Sequence, residues 1–282
     1  MRNVNSLLKD VENRLKANEI SEPALNAEWI VSKVCGLERL QLRLSGCEGI
    51  SEETAKKAMD MALMRIKHVP LSYIFGEHNF RGFSLEINRG VFVPRPETEE
   101  LIDIFLKCAR KNGKMRILDF GTGSGAIAIL LAAEIKEAEI IAVDKSVLSI
   151  RCAERNVKKH GFSERVKVQR GESPEELGIR FDFIISNPPY IPSPDIEGLD
   201  AEVRMEPRVA LDGGKDGLKV VRKLLRSLPF VLRKGGMFFC EIGENQVEGV
   251  KRVFLESEVP GRIEFYRDCN MKWRFFSVKF YG

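Results

Sequence analysis

Two short stretches of this chain bring together residue types that could do chemistry. The first is Ile184-Ile185-Ser186-Asn187-Pro188-Pro189-Tyr190. An apolar run from Phe181 to Ile185 reads as a buried strand and stops at a polar residue followed by two prolines. Pro188 pushes Asn187 out of helical space, and neither proline can donate to a sheet ladder. The strand therefore ends with an Asn side chain, adjacent free carbonyls and an aromatic ring at one point. An acceptor-rich pocket beside a flat ring suits a planar group bearing NH2, such as a carboxamide or the exocyclic amine of a base. The second stretch is Ile117-Leu118-Asp119-Phe120-Gly121-Thr122-Gly123-Ser124-Gly125, a strand running into a glycine-rich turn and then a helix. Its Gly-x-Gly-x-Gly spacing differs from the Gly-x-Gly-x-x-Gly of dinucleotide binders, and no Lys-Ser/Thr closes it as in a phosphate-binding loop. Asp144 ends the next strand, 23 residues after Gly121, where a carboxylate can accept hydrogen bonds from both hydroxyls of a ribose.

The elements that must position these residues follow from hydrophobic pattern and punctuation. Strands are expected over 115–120, 139–144, 166–170 and 181–185, separated by helices over 126–135 and 146–160. Leu218, Val221, Leu225, Leu228 and Leu232 mark a further helix, and Gly235-Gly236 turns into a strand from Met237 to Ile242. Val247, Val250 and Phe254 give another helix before two β-rich runs, 262–266 and 273–280. Alternation of this kind predicts a doubly wound α/β sheet with an antiparallel edge. Upstream, Leu7, Val11 and Leu15 share a helical face, Ser21 and Pro23 open a second helix, and Ser51 opens a third. Residues 1–75 are thus expected to be a helical unit that carries no catalytic constellation and serves substrate docking. Residues 76–93, where Phe83, Leu85 and Ile87 alternate before an Asn88-Arg89-Gly90 turn and Val91-Phe92-Val93, read as a β-hairpin linker. The α/β domain is expected over 94–282. At its start Pro94 and Pro96 bracket Arg95, a rigid strap that could border a pocket.

Composition narrows the function classes. The 282 residues are 44% hydrophobic without a run that spans a bilayer, so the expectation is a globular protein with no membrane partner. Six Cys and three His are scattered without metal-ligand spacing, which predicts no metal site, no disulfide framework and a reducing cytoplasmic setting. Met1 to Asp10 has no apolar signal region. A net charge of +4 is too mild to predict stable nucleic-acid binding.

The glycine loop with Asp144 resembles the Rossmann-like methyltransferases, which implies S-adenosylmethionine as cofactor. Asn187-Pro188-Pro189-Tyr190 is similar to motifs of amino- and amide-directed methyltransferases, DNA adenine methyltransferases among them. Further segments resemble the peptide chain release factor glutamine methyltransferases: Pro70-Leu71-Ser72-Tyr73-Ile74-Phe75-Gly76, Val93-Pro94-Arg95-Pro96-Glu97-Thr98-Glu99, Glu206-Pro207 with Ala210-Leu211, Gly213-Gly214-Lys215-Asp216-Gly217-Leu218 and Glu241-Ile242-Gly243. The resemblance covers roughly residues 70–245. It implies methylation at N5 of the glutamine in the Gly-Gly-Gln motif of class I release factors. Asn187 Oδ1 and the Pro188 carbonyl would accept the two amide hydrogens while Tyr190 stacks on the amide plane, with Pro189, Arg95 and Pro96 at the border. Asp119, Gly121, Thr122, Gly123, Ser124, Gly125, Asp144 and Asn187 would hold the cofactor, with Glu172 beside the adenine. Two positions depart from the family pattern. Met205 stands where an aromatic residue usually precedes Glu-Pro, and Cys269-Asn270-Met271-Lys272-Trp273-Arg274 lacks the usual Gly-x-Asp-Arg. The competing reading is an exocyclic-amine methyltransferase acting on RNA or DNA, which would need a basic stripe near the pocket. Arg151, Arg155, Lys158 and Lys159 read instead as a solvated helix face.

Overall fold

The computed structural model describes residues 3–109 and 114–282, and the chain divides into two compact units. One is helical and runs to Gly76. Its α1 (Val4–Lys16) opens on a reciprocal cap in which Asn3 and Ser6 satisfy each other's backbone N–H, and it buries Val4, Leu7, Val11 and Leu15 along one face. Next come α2 (Pro23–Cys35), α3 (Arg39–Leu44), α4 (Glu52–Ile66) and α5 (Leu71–Phe75). Pro23 opens α2 and Gly36, at φ 66°, ends it. Ser51 caps α4, and that helix turns Ala55, Ala58 and Ala62 inward, small residues that fit a close approach to α1 and α2.

Residues 200–205 also belong to the helical unit, although the sequence pattern places them in the α/β domain over 94–282. The physical reason lies at Arg65, whose side chain is buried. Its guanidinium donates to Asn26 Oδ1 at 2.7 Å, to the Val69 carbonyl at 3.2 Å and to Glu202 Oε2 at 2.5 Å. A charge in such a place must be paired, and Glu202 brings its segment along.

The second unit begins with a hairpin, but not the expected one. β1 (Glu77–Phe80) pairs with β2 (Phe83–Glu86) across Arg81-Gly82, both at positive φ (48° and 86°), as a two-residue hairpin turn requires. The alternation over 83–87 is real, yet its partner precedes it; 91–93 forms no strand. The Val93 N–H is taken by the Glu206 carboxylate at 3.0 Å, and Pro94 has no N–H to offer a ladder.

The remaining elements are α6 (Pro96–Cys108), β3 (Met115–Phe120), α7 (Ala126–Glu134), β4 (Ala138–Asp144), α8 (Val147–Lys159), β5 (Val166–Arg170), β6 (Phe181–Ser186), α9 (Arg208–Leu211), α10 (Lys219–Val231), β7 (Leu232–Glu241), α11 (Val247–Glu256), β8 (Gly261–Arg267) and β9 (Trp273–Phe280). The sheet order is β5-β4-β3-β6-β7-β9-β8, parallel through β7 and antiparallel at β9 and β8. This is the expected doubly wound α/β class with an antiparallel edge. β7 starts five residues earlier than expected. Gly235-Gly236 sits inside it as an irregularity opposite Phe181 and Phe183, because a Cβ on Gly236 would come within 2.9 Å of the Asp182 and Arg233 carbonyls. Phe105 of α6 meets Phe183 and Phe239 edge-on, with ring centroids 5.2 Å apart in each pair, and so fixes α6 to the sheet. No helix among the described residues is long and apolar enough to cross a membrane.

Candidate active site

β3 is flanked by β4 on one side and β6 on the other, so the chain changes direction across the sheet between β3 and β6. Ligands of such sheets bind at the carboxyl ends of the strands beside that switch. Asp119 lies in register with Ile185, so the loops leaving β3 and β6 emerge together. The Ser186 hydroxyl donates to the Phe120 carbonyl at 2.6 Å, and a Cβ on Gly121 would lie 3.9 Å from the Asn187 carbonyl oxygen. The two stretches singled out by sequence are therefore neighbours.

The glycine loop is held from below. Gly121 and Thr122 donate their N–H groups to the Val143 carbonyl at 2.8 and 3.0 Å. Gly125, at φ 86°, also lets α7 and α8 approach, since a Cβ there would meet Ala153 at 3.3 Å. Asp119 is fully buried. Its Oδ2 accepts from Thr122 Oγ1 at 2.6 Å and from the Ala128 N–H at 3.2 Å, whereas its Oδ1 and the Ser124 hydroxyl have no partner among the described residues. Burial pushes the Asp119 carboxyl up to about 7, against the pull of its two donors. An orphaned buried acceptor at the mouth of a glycine loop fits a ligand carrying N–H or cationic groups. Asp144 ends β4 with Oδ1 accepting from Ser146 N–H at 2.8 Å and Oδ2 from Gly123 N–H at 3.0 Å. Burial raises its pKa. A carboxylate has about four acceptor positions, so these two bonds leave room for a diol. Glu172 follows β5 with an exposed side chain; its N–H donates to Glu176 and its carbonyl accepts from Lys223 Nζ.

At the end of β6, Asn187 Nδ2 donates to Thr98 Oγ1 at 2.8 Å, and Thr98 in turn donates to Glu241 Oε2 at 2.8 Å. Asn187 Oδ1 is left without a partner among the described residues. Pro188 is buried, and Pro189 and Tyr190 are half-buried. Burial, with the Glu241 charge nearby, raises the Tyr190 phenol pKa and keeps it protonated, and the Tyr190 carbonyl accepts from Gln246 Nε2 at 2.8 Å. Gly217 gives that carbonyl space, since a Cβ there would lie 2.2 Å from it. Burial lifts Glu241 to about 7, opposed by Thr98, Arg274 and Tyr190.

Arg95 precedes α6, stacks on Phe92 with 5.1 Å to the ring centroid, and pairs with the buried Glu206 carboxylate. Its charge also bears on Tyr190. Pro96 is exposed at the first position of α6. Despite its unusual sequence, the turn after β8 pairs Asp268 with Arg274 at 3.5 Å. Sequence reasoning names Thr98, Glu206 and Glu241 only within segments that carry the family resemblance and gives them no role at the site. The available signal was an acid at the end of the apolar run Phe238-Phe239-Cys240, a position where carboxylates are seldom buried without a task.

The burial of Asp119 gives a prediction. Its folded pKa, about 7, exceeds the ordinary 3.8, so its contribution to stability is full below 3.8 and is lost as pH rises through about 7. Asp119→Asn escapes that loss. The stability difference between variant and parent should shift in favour of the variant by roughly 1.4 kcal/mol for each pH unit within that window, and then level off. Urea midpoints measured from acid to mildly alkaline pH check this; a difference that does not vary with pH contradicts it.

Known proteins resemble this chain in sequence and in fold. The family model for the PrmC N-terminal domain matches residues 6–76, and that for the methyltransferase small domain matches 87–198. A release factor glutamine methyltransferase from Geobacter sulfurreducens is 38% identical over 237 residues, covering 83% of this chain and 82% of that protein. One from Bacillus cereus is 37% identical over 274 residues, covering 95% of each. Among solved structures, the human METTL16 catalytic domain with an RNA hairpin aligns with a TM-score of 0.58 at 19% identity, covering 85% of each chain. The N-terminal domain of human METTL16 in complex with SAH aligns at 0.51 and 20%, covering 85% of this chain and 87% of that one. Those two likenesses concern the fold. The sequence relatives, alike over most of their length, carry the conclusion: the chain is a methyltransferase and belongs to the release factor glutamine methyltransferase family.

Proposed function

We propose that this enzyme transfers the methyl group of S-adenosylmethionine to N5 of the glutamine in the Gly-Gly-Gln motif of class I release factors. The observation that carries the reading is the Asn187 side chain, tethered through Nδ2 to Thr98 with Oδ1 unpartnered among the described residues, on a backbone that lies against Gly121 of the glycine loop. The relatives' names support the acceptor, and the bound SAH of the METTL16 domain supports the cofactor class. Asp119 and the loop 121–125 would hold the amino-acid end of the cofactor, and Asp144 its ribose. Asn187 and Glu172 would stand near the rest.

The bound cofactor supplies an electrophilic methyl group on a sulfonium, so that a C–N bond forms as a C–S bond breaks and the amide nitrogen gives up one proton. An amide nitrogen is a weak nucleophile because its lone pair is delocalised. Asn187 Oδ1 and the Pro188 carbonyl would accept its two hydrogens, bonds that strengthen as the nitrogen becomes tetrahedral and positive. Tyr190, with Arg95, Pro96 and Pro189 at the border, would flank the amide plane and exclude water. The helical unit is assigned the docking of the protein substrate. The reducing cytoplasm is the proposed setting, in keeping with six free cysteines.

Labelled methyl from S-adenosylmethionine should enter purified class I release factor and should not enter one whose Gly-Gly-Gln glutamine is replaced. Incorporation that persists after that replacement, or that favours RNA or DNA, removes the assignment. On the cofactor side, Asp144→Ala should weaken S-adenosylmethionine about ten- to a hundredfold, the value of a charge-assisted hydrogen bond at roughly 1.5–3 kcal/mol. Calorimetry that finds unchanged affinity in the folded variant takes Asp144 out of the site.

A further inference from the structure

An Asn amide is nearly symmetric in shape, and its two ends differ only in hydrogen-bonding polarity. At Asn187 that difference is decisive. An acceptor nitrogen carrying two hydrogens needs an oxygen, and a flipped Asn187 would confront it with a second NH2. Which end faces the acceptor must therefore be set by something other than side-chain shape.

We infer that Glu241 and Thr98 are positioning residues that set the orientation of the Asn187 amide and so present Oδ1 to the acceptor nitrogen. The chain of polarity runs one way. The Thr98 hydroxyl donates to Glu241 Oε2 at 2.8 Å, and in the ionised form of Glu241, which prevails above about pH 7, the carboxylate can only accept. That leaves the Thr98 oxygen to accept from Asn187 Nδ2, at 2.8 Å, and turns Oδ1 outward. Thr98 and Glu241 are 3% and 1% exposed, so water cannot take the place of either link. The same carboxyl acts electrostatically on the Tyr190 phenol, so both polar residues of the acceptor motif face one group. Three separate elements meet here: the first turn of α6, the end of β7 and the loop after β6. The proposal rests on the reading of Asn187 as the residue that receives the acceptor amide.

The test uses the full chain with Glu241→Gln, Thr98→Val and Thr98→Ser. Glutamine can donate as well as accept, which makes the relay ambiguous; valine removes it; serine retains it. S-adenosylmethionine affinity by calorimetry should stay within about twofold of the parent in all three. With release factor as substrate, kcat should fall about ten- to a hundredfold in Glu241→Gln and Thr98→Val with little change in KM, the usual scale for removing a group that orients a reacting one. Thr98→Ser should recover to within about threefold of the parent. Independently of activity, the Asn187 side-chain NH2 resonances, identified by their loss in Asn187→Ala, should move in Thr98→Val and stay put in Thr98→Ser. Normal turnover in Glu241→Gln and Thr98→Val, a Thr98→Ser as slow as the valine variant, or an Asn187 NH2 signal indifferent to Thr98 overturns the relay. A parent enzyme that fails to methylate release factor sinks the functional reading instead, and the resonance measurement still decides the relay.

Discussion

The parallel pairing of β3 with β6 is the constraint on which the rest of the site depends. Helical crossovers place β4 and β5 to one side of β3, and the chain then returns to lay β6 on the other. Because Asp119 is in register with Ile185, two loops more than sixty residues apart in the chain leave the sheet side by side. The glycine loop needs positive φ to turn at once into α7, and the Asn-Pro-Pro turn cannot continue a ladder, so both backbones open outward at the same place. Slipping β6 by one residue would send Asn187 to the opposite face of the sheet and separate the two halves of the chemistry.

Around that junction stand three buried carboxylates. Asp119 holds the glycine loop, Glu241 holds Thr98, and Glu206 accepts from Val93 N–H and pairs with Arg95. Each fixes a segment that ordinary packing would leave loose: a glycine-rich turn, the start of α6 and a proline-bracketed strap. Burying a carboxylate costs stability, which shows in the raised pKa values of Asp119 and Glu241. Groups kept at such a cost cluster where a reaction demands fixed geometry.

Much of the sheet could be read from sequence because each parallel strand is an apolar run bounded by turn residues, and the glycine loop and Asn187-Pro188-Pro189-Tyr190 carry their local geometry in their residue types. What escaped was partnership at a distance. Alternation identified a strand at Phe83 without saying whether it pairs forward or back, and the Arg81-Gly82 turn decided for back. Gly235-Gly236 looked like a turn, yet a strand can absorb it as a bulge where a neighbouring backbone comes close. Residues 200–205 join the helical unit because Arg65 needs a counter-charge, and no periodicity announces that. Thr98 and Glu241 lie 143 positions apart, one in a capping segment with an innocent explanation and the other at a strand end; only three-dimensional contact gives them a common task.

The central claim is that Asn187 Oδ1 receives the acceptor amide and stabilises it as the methyl group arrives. Single-turnover methylation of release factor, with S-adenosylmethionine saturating, reads that step apart from binding and release. Asn187→Ala should keep cofactor affinity close to that of the parent and lower the single-turnover rate about a hundred- to a thousandfold, the loss that follows removal of one preorganised polar contact at a reacting centre. A folded, cofactor-saturated Asn187→Ala enzyme that transfers methyl at the parental rate would contradict the account.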